Sequence, residues 1–168
     1  MSRIKAHSVY AALLALFLAA PLFATPDPPQ NIEQNKAVAR KLFEVALNQD
    51  NWEVYDEIHS TDFVAHAGNL TVGLAEDLQD AKGWRLAFPD GRYSSNNVVA
   101  EGDFVAVHFT GRGTNTGAWN DLPPTGKPVE VVAISIFRIV GGKIVEEWTA
   151  YNKLSLLRQL GVAPASSH

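Results

Sequence analysis

The sequence predicts an α+β fold, helices first and a mostly antiparallel sheet after them, and three observations carry that prediction. Apolar residues recur at helical spacing through much of the stretch from Asn31 to Phe88. Beyond Pro89-Asp90-Gly91 the period changes to alternation, with turn residues at Glu101-Gly102-Asp103 and Gly141-Gly142. A short amphipathic helix then ends near Leu160, placed to close one end of a pocket. The concave side of such a sheet is either filled by side chains or encloses a cavity. Polar residues alternating with aromatics on the strands favour the cavity.

Taken in order, Asn31 with Gln34 three positions on has the pattern of a capping box opening a helix to about Asn48. Val38, Leu42, Val45 and Ala46 make its buried face; Lys36, Arg40, Lys41 and Glu44 make its wet one. Asp50 or Asn51 caps a second helix, in which Trp52, Tyr55 and Ile58 share a side. Thr61 to Ala67 reads as a short extended segment. The third helix runs from about Leu74 to Phe88, with Leu74, Leu78, Ala81 and Phe88 inward, and is stopped by Pro89. Four strands follow over 92–100, 104–114, 129–140 and 143–151, with a Gly- and Pro-rich loop at 115–128. Alternation on the second puts Phe104, Ala106, His108, Thr110 and Arg112 on one face and Val105, Val107 and Phe109 on the other. On the last strand it groups Ile144, Glu146, Trp148 and then Asn152 against Val145, Glu147, Thr149 and Tyr151.

At 168 residues, 46% hydrophobic and 19% charged, the chain is expected to form one globular domain over 31–163 with a tail over 164–168. Arg3 and Lys5 precede an almost uncharged run from Val9 to Phe23, shorter than the roughly 20 residues that span a bilayer. Residues 1–24 therefore read as a secretory signal and 25–30 as a Pro-rich linker, so the expected location is periplasmic or secreted, with no stable membrane span after cleavage. Losing Arg3 and Lys5 with no acid moves the net charge from −4 to −6, which argues against nucleic acid as partner. With no cysteine there is no disulfide, thiolate metal site or cysteine nucleophile. No H-x-H or H-E-x-x-H pairing appears, so no metal site is expected. Gly126-Lys127 runs into Pro128 rather than a phosphate loop, and no G-x-S-x-G elbow occurs. The sequon Asn69-Leu70-Thr71 matters only in a cell that glycosylates secreted proteins.

An ordered set of short motifs spans most of the chain beyond the leader. It comprises FVAH at Phe63–His66, Phe88-Pro89-Asp90, AEGD at Ala100–Asp103 and GTNTG at Gly113–Gly117. PPTGK at Pro123–Lys127, IFR at Ile136–Arg138, GKIVEEW at Gly142–Trp148 and LLRQLG at Leu156–Gly161 complete it. Together they resemble the SnoaL-like polyketide cyclase or ester cyclase family. The resemblance implies the cone-shaped fold shared with ketosteroid isomerase, scytalone dehydratase and nuclear transport factor 2, with N-terminal helices packed on a curved sheet enclosing a pocket. It implies an intramolecular aldol closure on a hydrophobic carbonyl compound, with no cofactor and no metal, by an acid/base carboxylate and hydrogen-bond donors for the enolate. The family's acid, one or four places after the Trp, falls here on Thr149 or Asn152.

That substitution leaves two functions open: an acid/base enzyme using other groups, or a small-molecule-binding protein that has lost its acid. A third is an interaction module in which two copies pair through the outer sheet face, as relatives often do. For the enzyme, His66 and His108 are the acid/base candidates among the histidines, or else hydrogen-bonded wall residues. Glu146 beside Trp148 is either a base whose pKa the aromatic wall raises, or the partner of Arg112 or Arg138 in an ion pair. Asn152 either donates to a carbonyl or caps the last helix. Trp84, Trp119 and Trp148 line a flat ligand's pocket or belong to the core, and Arg112 is placed among the ligand-binding residues.

Overall fold

The computed structural model describes residues 29–68, 70–119 and 122–163. The expected signal over 1–24, the tail over 164–168 and Asn69 of the sequon lie outside the described residues. Helix α1 spans Pro29–Lys41, so Asn31 lies inside it rather than capping it, and the expected linker overlaps its first turn. The chain then widens into a π-helical segment over Leu42–Leu47. Its wider turn is closed by the amide of Asn48 donating to the carbonyl of Phe43 at 3.1 Å and that of Asn51 to Ala46 at 3.0 Å. Ala39, Leu42, Phe43 and Ala46 are buried, while Val38 and Val45, which plain helical spacing puts inside, are only partly so. The Phe43 ring lies 4.7 Å from that of Phe109 and 6.2 Å from that of Phe137, at the centre of the core. Burying it contributes about 2–3 kcal/mol.

Asp50 turns the chain at a φ of 55°, and Asn51 caps α2 (Trp52–Ile58) by accepting from the amide of Val54 at 3.1 Å. Strand β1 (His59–Ala67) pairs with β2 (Leu70–Gly73), a strand that the sequence reading passes over because it is only four residues long. Helix α3 (Leu74–Ala87) follows at once, its first turn closed by the Glu76 carboxylate accepting from the Gly73 amide at 3.0 Å. Next come β3 (Arg92–Glu101), β4 (Phe104–Thr114), β5 (Pro128–Val140), β6 (Lys143–Tyr151) and α4 (Lys153–Leu160). The six strands form one sheet in the order β2-β1-β6-β5-β4-β3, antiparallel throughout except where β1 runs parallel to β6. The expected α+β class and its helices on a curved sheet are what the chain adopts.

The sheet's inner face carries the main core. Val105, Val107 and Phe109 of β4 and Ala133, Phe137 and Ile139 of β5 are buried against Leu42, Phe43, Tyr55 and Ile58. A second cluster joins Phe88, Trp119 and Val129 to Leu156 and Leu160 of α4. The loop between β4 and β5 is held by Asn115, whose side-chain oxygen accepts from the Thr125 amide at 2.9 Å while its amide donates to Gly117 O at 2.8 Å. Gly117 lies against the end of α3, where a Cβ would stand 2.0 Å from the Leu86 carbonyl oxygen.

Candidate functional site

A cavity of about 150 Å³ lies between the inner face of the sheet and helices α2 and α3. Trp52, Trp84, Phe88, Tyr93 and Phe109 supply aromatic walls, Val131 and Ala133 a floor, and Thr149 a hydroxyl. Four elements that line it also carry a polar residue one structural repeat further along. Tyr55 follows Trp52 by one turn of α2, and Asp77 precedes Ala81 by one turn of α3. Ser135 follows Ala133 on β5, and Glu147 precedes Thr149 on β6, each by one strand period. These residues form a polar cluster just beyond the cavity wall, joined to it through Thr149.

Within the cluster the Tyr55 hydroxyl donates to the Asp77 carboxylate. Thr149 donates to Glu147 Oε1 at 2.5 Å and Ser135 to the same oxygen at 3.2 Å, while the two hydroxyls also meet each other. His59, where α2 passes into β1, is 3% exposed and stacks on the Tyr55 ring at 4.3 Å. Its Nδ1 lies 2.7 Å from the Tyr55 carbonyl, which only accepts, so the ring proton is on Nδ1. Its Nε2 is buried without a hydrogen-bond partner.

Burial dominates the electrostatics. It pushes Glu147 up to about 7, with the Asp77 charge adding and the Thr149 and Ser135 hydroxyls opposing. Asp77 is also raised by burial, against the hydrogen bond from Tyr55. Burial drives His59 down to about 4, so the ring is neutral at ordinary pH. Tyr55 is raised by burial and then by Asp77, which keeps its proton on. A carboxyl that titrates near neutrality beside fixed hydroxyls can take up and return a proton.

Four residues expected at the cavity lie on the opposite face of the sheet. His66 stacks on Trp148 at 5.1 Å and 9°, and its Nε2 meets Glu146 Oε1 at 2.9 Å. Arg138 Nε donates to the other Glu146 oxygen at 3.0 Å, which makes Glu146 the ion-pair partner; these two bonds hold its pKa below the usual value. His108 shares this outer face and meets Asn97 Nδ2 at 3.2 Å. The cause on β6 is a bulge. Ile144 pairs with Ile139 and Glu146 with Arg138, so Val145 is an extra residue opposite no partner. Ile144 is inside, as alternation from the core requires, but past the bulge the parity flips: Glu147 and Thr149 turn in and Glu146 and Trp148 out. On β4 the two faces divide as expected, but the apolar one with Phe109 and Gly111 faces the cavity, because the helices cover it.

Asn152 caps α4, accepting from the Ser155 amide at 2.9 Å, and does not line the cavity. Trp84 does, with Phe88 stacked on it at 5.1 Å. Trp119 packs on Trp84 from behind at 4.8 Å, in the second core cluster. Arg112 reaches the cavity rim while its Nε donates to Glu130 at 2.8 Å. His59, Asp77, Ser135 and Glu147 were missed by the sequence reading. The signal available for Glu147 was its place on the same side as Thr149, where the resemblance expected an acid.

A model of SnoaL-like polyketide cyclases matches residues 37–160. The chain belongs to that family. IdmH from Streptomyces antibioticus, assigned as a polyketide cyclase, is 30% identical over 77% of this chain and 99% of its own, with a TM-score of 0.68. AclR from Streptomyces galilaeus, assigned as a hydroxylase, is 29% identical over 81% of this chain and 86% of its own, at 0.74. A protein from Jannaschia sp. CCS1, assigned as a SnoaL-like polyketide cyclase, is 25% identical over 82% of this chain and 99% of its own, at 0.76. No curated protein matches. The SnoaL-like assignment and these neighbours support a function of the cyclase or isomerase type on a small molecule. No helix among the described residues is long and apolar enough to cross a membrane.

For a metal ion, the described residues offer one group of three ligands, His59, Asp77 and Glu147, with ligand atoms within 4.8 Å of one another.

Proposed function

We propose that the protein is an enzyme that moves a proton next to a carbonyl in a hydrophobic, ring-sized molecule, using its own side chains, with Glu147 as the base. One observation carries this reading: a carboxyl raised to about 7 by burial, one hydroxyl away from an aromatic cavity. The Glu147 carboxylate takes the proton from the carbon beside the carbonyl and becomes the acid; the electron pair moves onto the carbonyl oxygen as an enolate. The Tyr55 hydroxyl, which donates to Asp77 before the substrate enters, turns from it to supply the O–H for that oxygen, and Thr149 and Ser135 hold Glu147 in line. In an aldol closure the enolate carbon then bonds to a second carbonyl carbon, and Glu147 gives its proton to the new alkoxide.

A binding protein that has lost its acid was the competing reading, and it rested on Thr149 and Asn152. The half-buried Glu147 on the same inner face weighs against it, since a ligand wall has no need of a carboxyl poised near neutrality. The test is exchange of the methyl hydrogens of acetophenone in D2O, followed by NMR. The protein is expected to speed exchange over buffer, and Glu147→Gln to remove about 10²–10⁴-fold of that rate. Exchange no faster than buffer, or unchanged in Glu147→Gln, overturns the proposal.

A further inference from the structure

We infer that the inner end of the cavity takes a hydroxyl carried by the ligand, a phenol- or enol-type O–H on a single ring, which gives its hydrogen to Nε2 of His59. The inference rests on the acid/base reading of this cavity and adds the class of ring that it accepts. His59 is 3% exposed and spends its one N–H on the Tyr55 carbonyl, so Nε2 presents a bare lone pair. A buried acceptor left unmatched loses its hydration with no bond in return, and native structures rarely carry one.

The surroundings say what kind of partner is missing. One ring nitrogen of His59 and one carboxylate oxygen each of Asp77 and Glu147 lie within 4.8 Å of one another, so some point lies no more than about 2.8 Å from all three. That is the length of a hydrogen bond to an oxygen. The donors nearby are already committed, Tyr55 to Asp77 and Thr149 and Ser135 to Glu147. What the triangle lacks is an O–H hydrogen. A hydroxyl oxygen there donates to His59 and accepts from Glu147 when that carboxyl carries its proton. Thr149 is on the cavity wall and touches Glu147, so the spot lies just beyond the wall, on the side reached past Thr149 from a ring held between Trp52, Trp84 and Phe109. A cavity of about 150 Å³ suits one six-membered ring; an engineered apolar cavity of that size in another protein binds benzene.

A resident water offers the same O–H, and a pair of ligands of one shape separates the two sources. Phenol and toluene differ in a hydroxyl against a methyl, and the apolar walls by themselves favour toluene. Affinities are read by tryptophan fluorescence titration, and the His59 Nε2 resonance is followed by ¹⁵N NMR. Phenol is expected to bind about tenfold tighter than toluene or better, to shift the Nε2 resonance where toluene does not, and to lose its advantage in His59→Phe. Equal affinities, or an advantage that survives His59→Phe, or an Nε2 resonance that phenol leaves unmoved, overturn the inference and give the position to water. If His59→Phe fails to fold, the resonance in the unaltered protein decides. Acetophenone exchange that persists while phenol and toluene bind alike sinks only this inference; lost exchange with a clear phenol preference sinks only the enzyme.

Discussion

Glu146 and Glu147 are neighbours in sequence with opposite environments, and the difference predicts opposite behaviour. Glu146 has His66 and Arg138 on its two oxygens and a pKa held low; Glu147 has a setting shielded from water that raises it to about 7, against the hydrogen bonds from Thr149 and Ser135. Glu146→Gln is expected to leave acetophenone exchange within about twofold of the unaltered protein, against the loss of at least about 10²-fold for Glu147→Gln. A reversed order in the same assay removes Glu147 from the mechanism. The raised pKa also fixes a sign in stability. Between the ordinary 4.5 of a glutamate and about 7, the folded chain holds a proton that the unfolded chain has released, so stability falls as pH rises through that window. Glu147→Gln removes this slope and is expected to gain about 2–3 kcal/mol relative to the unaltered protein between pH 4.5 and 7.5 in urea unfolding. His59 works the other way: with its pKa lowered to about 4 from 6.5, its contribution is complete above 6.5 and is lost as pH falls towards 4. A Glu147→Gln profile that falls only on the acid side shows the histidine limb alone.

At the scale of elements, most of the architecture is legible because it rests on short-range physics. The Asn51 cap, the Pro89 stop, the Gly102 turn at a φ of 55° and the parity of β4 all follow from residues within a few positions of each other. The inner face of β6 does not, because the bulge at Val145 is set by pairing across β5 and β6, which no window along one strand contains. That one extra residue moved the expected base from Glu147 to Glu146. His59 was passed over for a related reason: its role depends on the Asp77 and Glu147 carboxylates, each brought to it by a different element. The GTNTG loop is the reverse case, visible as a motif but explained only by packing. At Gly117 a Cβ would meet the Leu86 carbonyl oxygen at 2.0 Å and the Ala87 Cα at 3.1 Å, backbone that cannot step aside. Gly117→Ala is expected to cost about 2–3 kcal/mol, read as a fall of roughly 5–10 °C in the thermal midpoint. An unchanged midpoint means that the loop lifts away without loss and is not part of the cavity's frame.

The whole molecule turns a second apolar surface outward, on the side of the sheet away from the helices. Phe104, Val132, Ile134 and Ile136 are 40–51% exposed there, and they are contiguous: β4 and β5 pair Ala106 with Ile136, His108 with Ile134 and Thr110 with Val132. Trp148 continues the surface through its pairing with Ile136, and the His66–Glu146–Arg138 group gives it a polar flank. A broad apolar face rimmed by charge on an otherwise acidic chain is the pattern of an interface, and a two-fold axis lets one such sheet face meet the same face of a second copy. Sedimentation of the chain at tens of micromolar is therefore expected to give a dimer. Ile134→Glu together with Ile136→Lys places charges on that face without touching the cavity, and is expected to yield a monomer that keeps its acetophenone exchange. A monomer before substitution overturns the interface. A dimer that survives the double substitution moves it elsewhere, and monomers that lose exchange mean that pairing holds the inner face of β5 and β6, with Ser135 and Glu147, in its working shape.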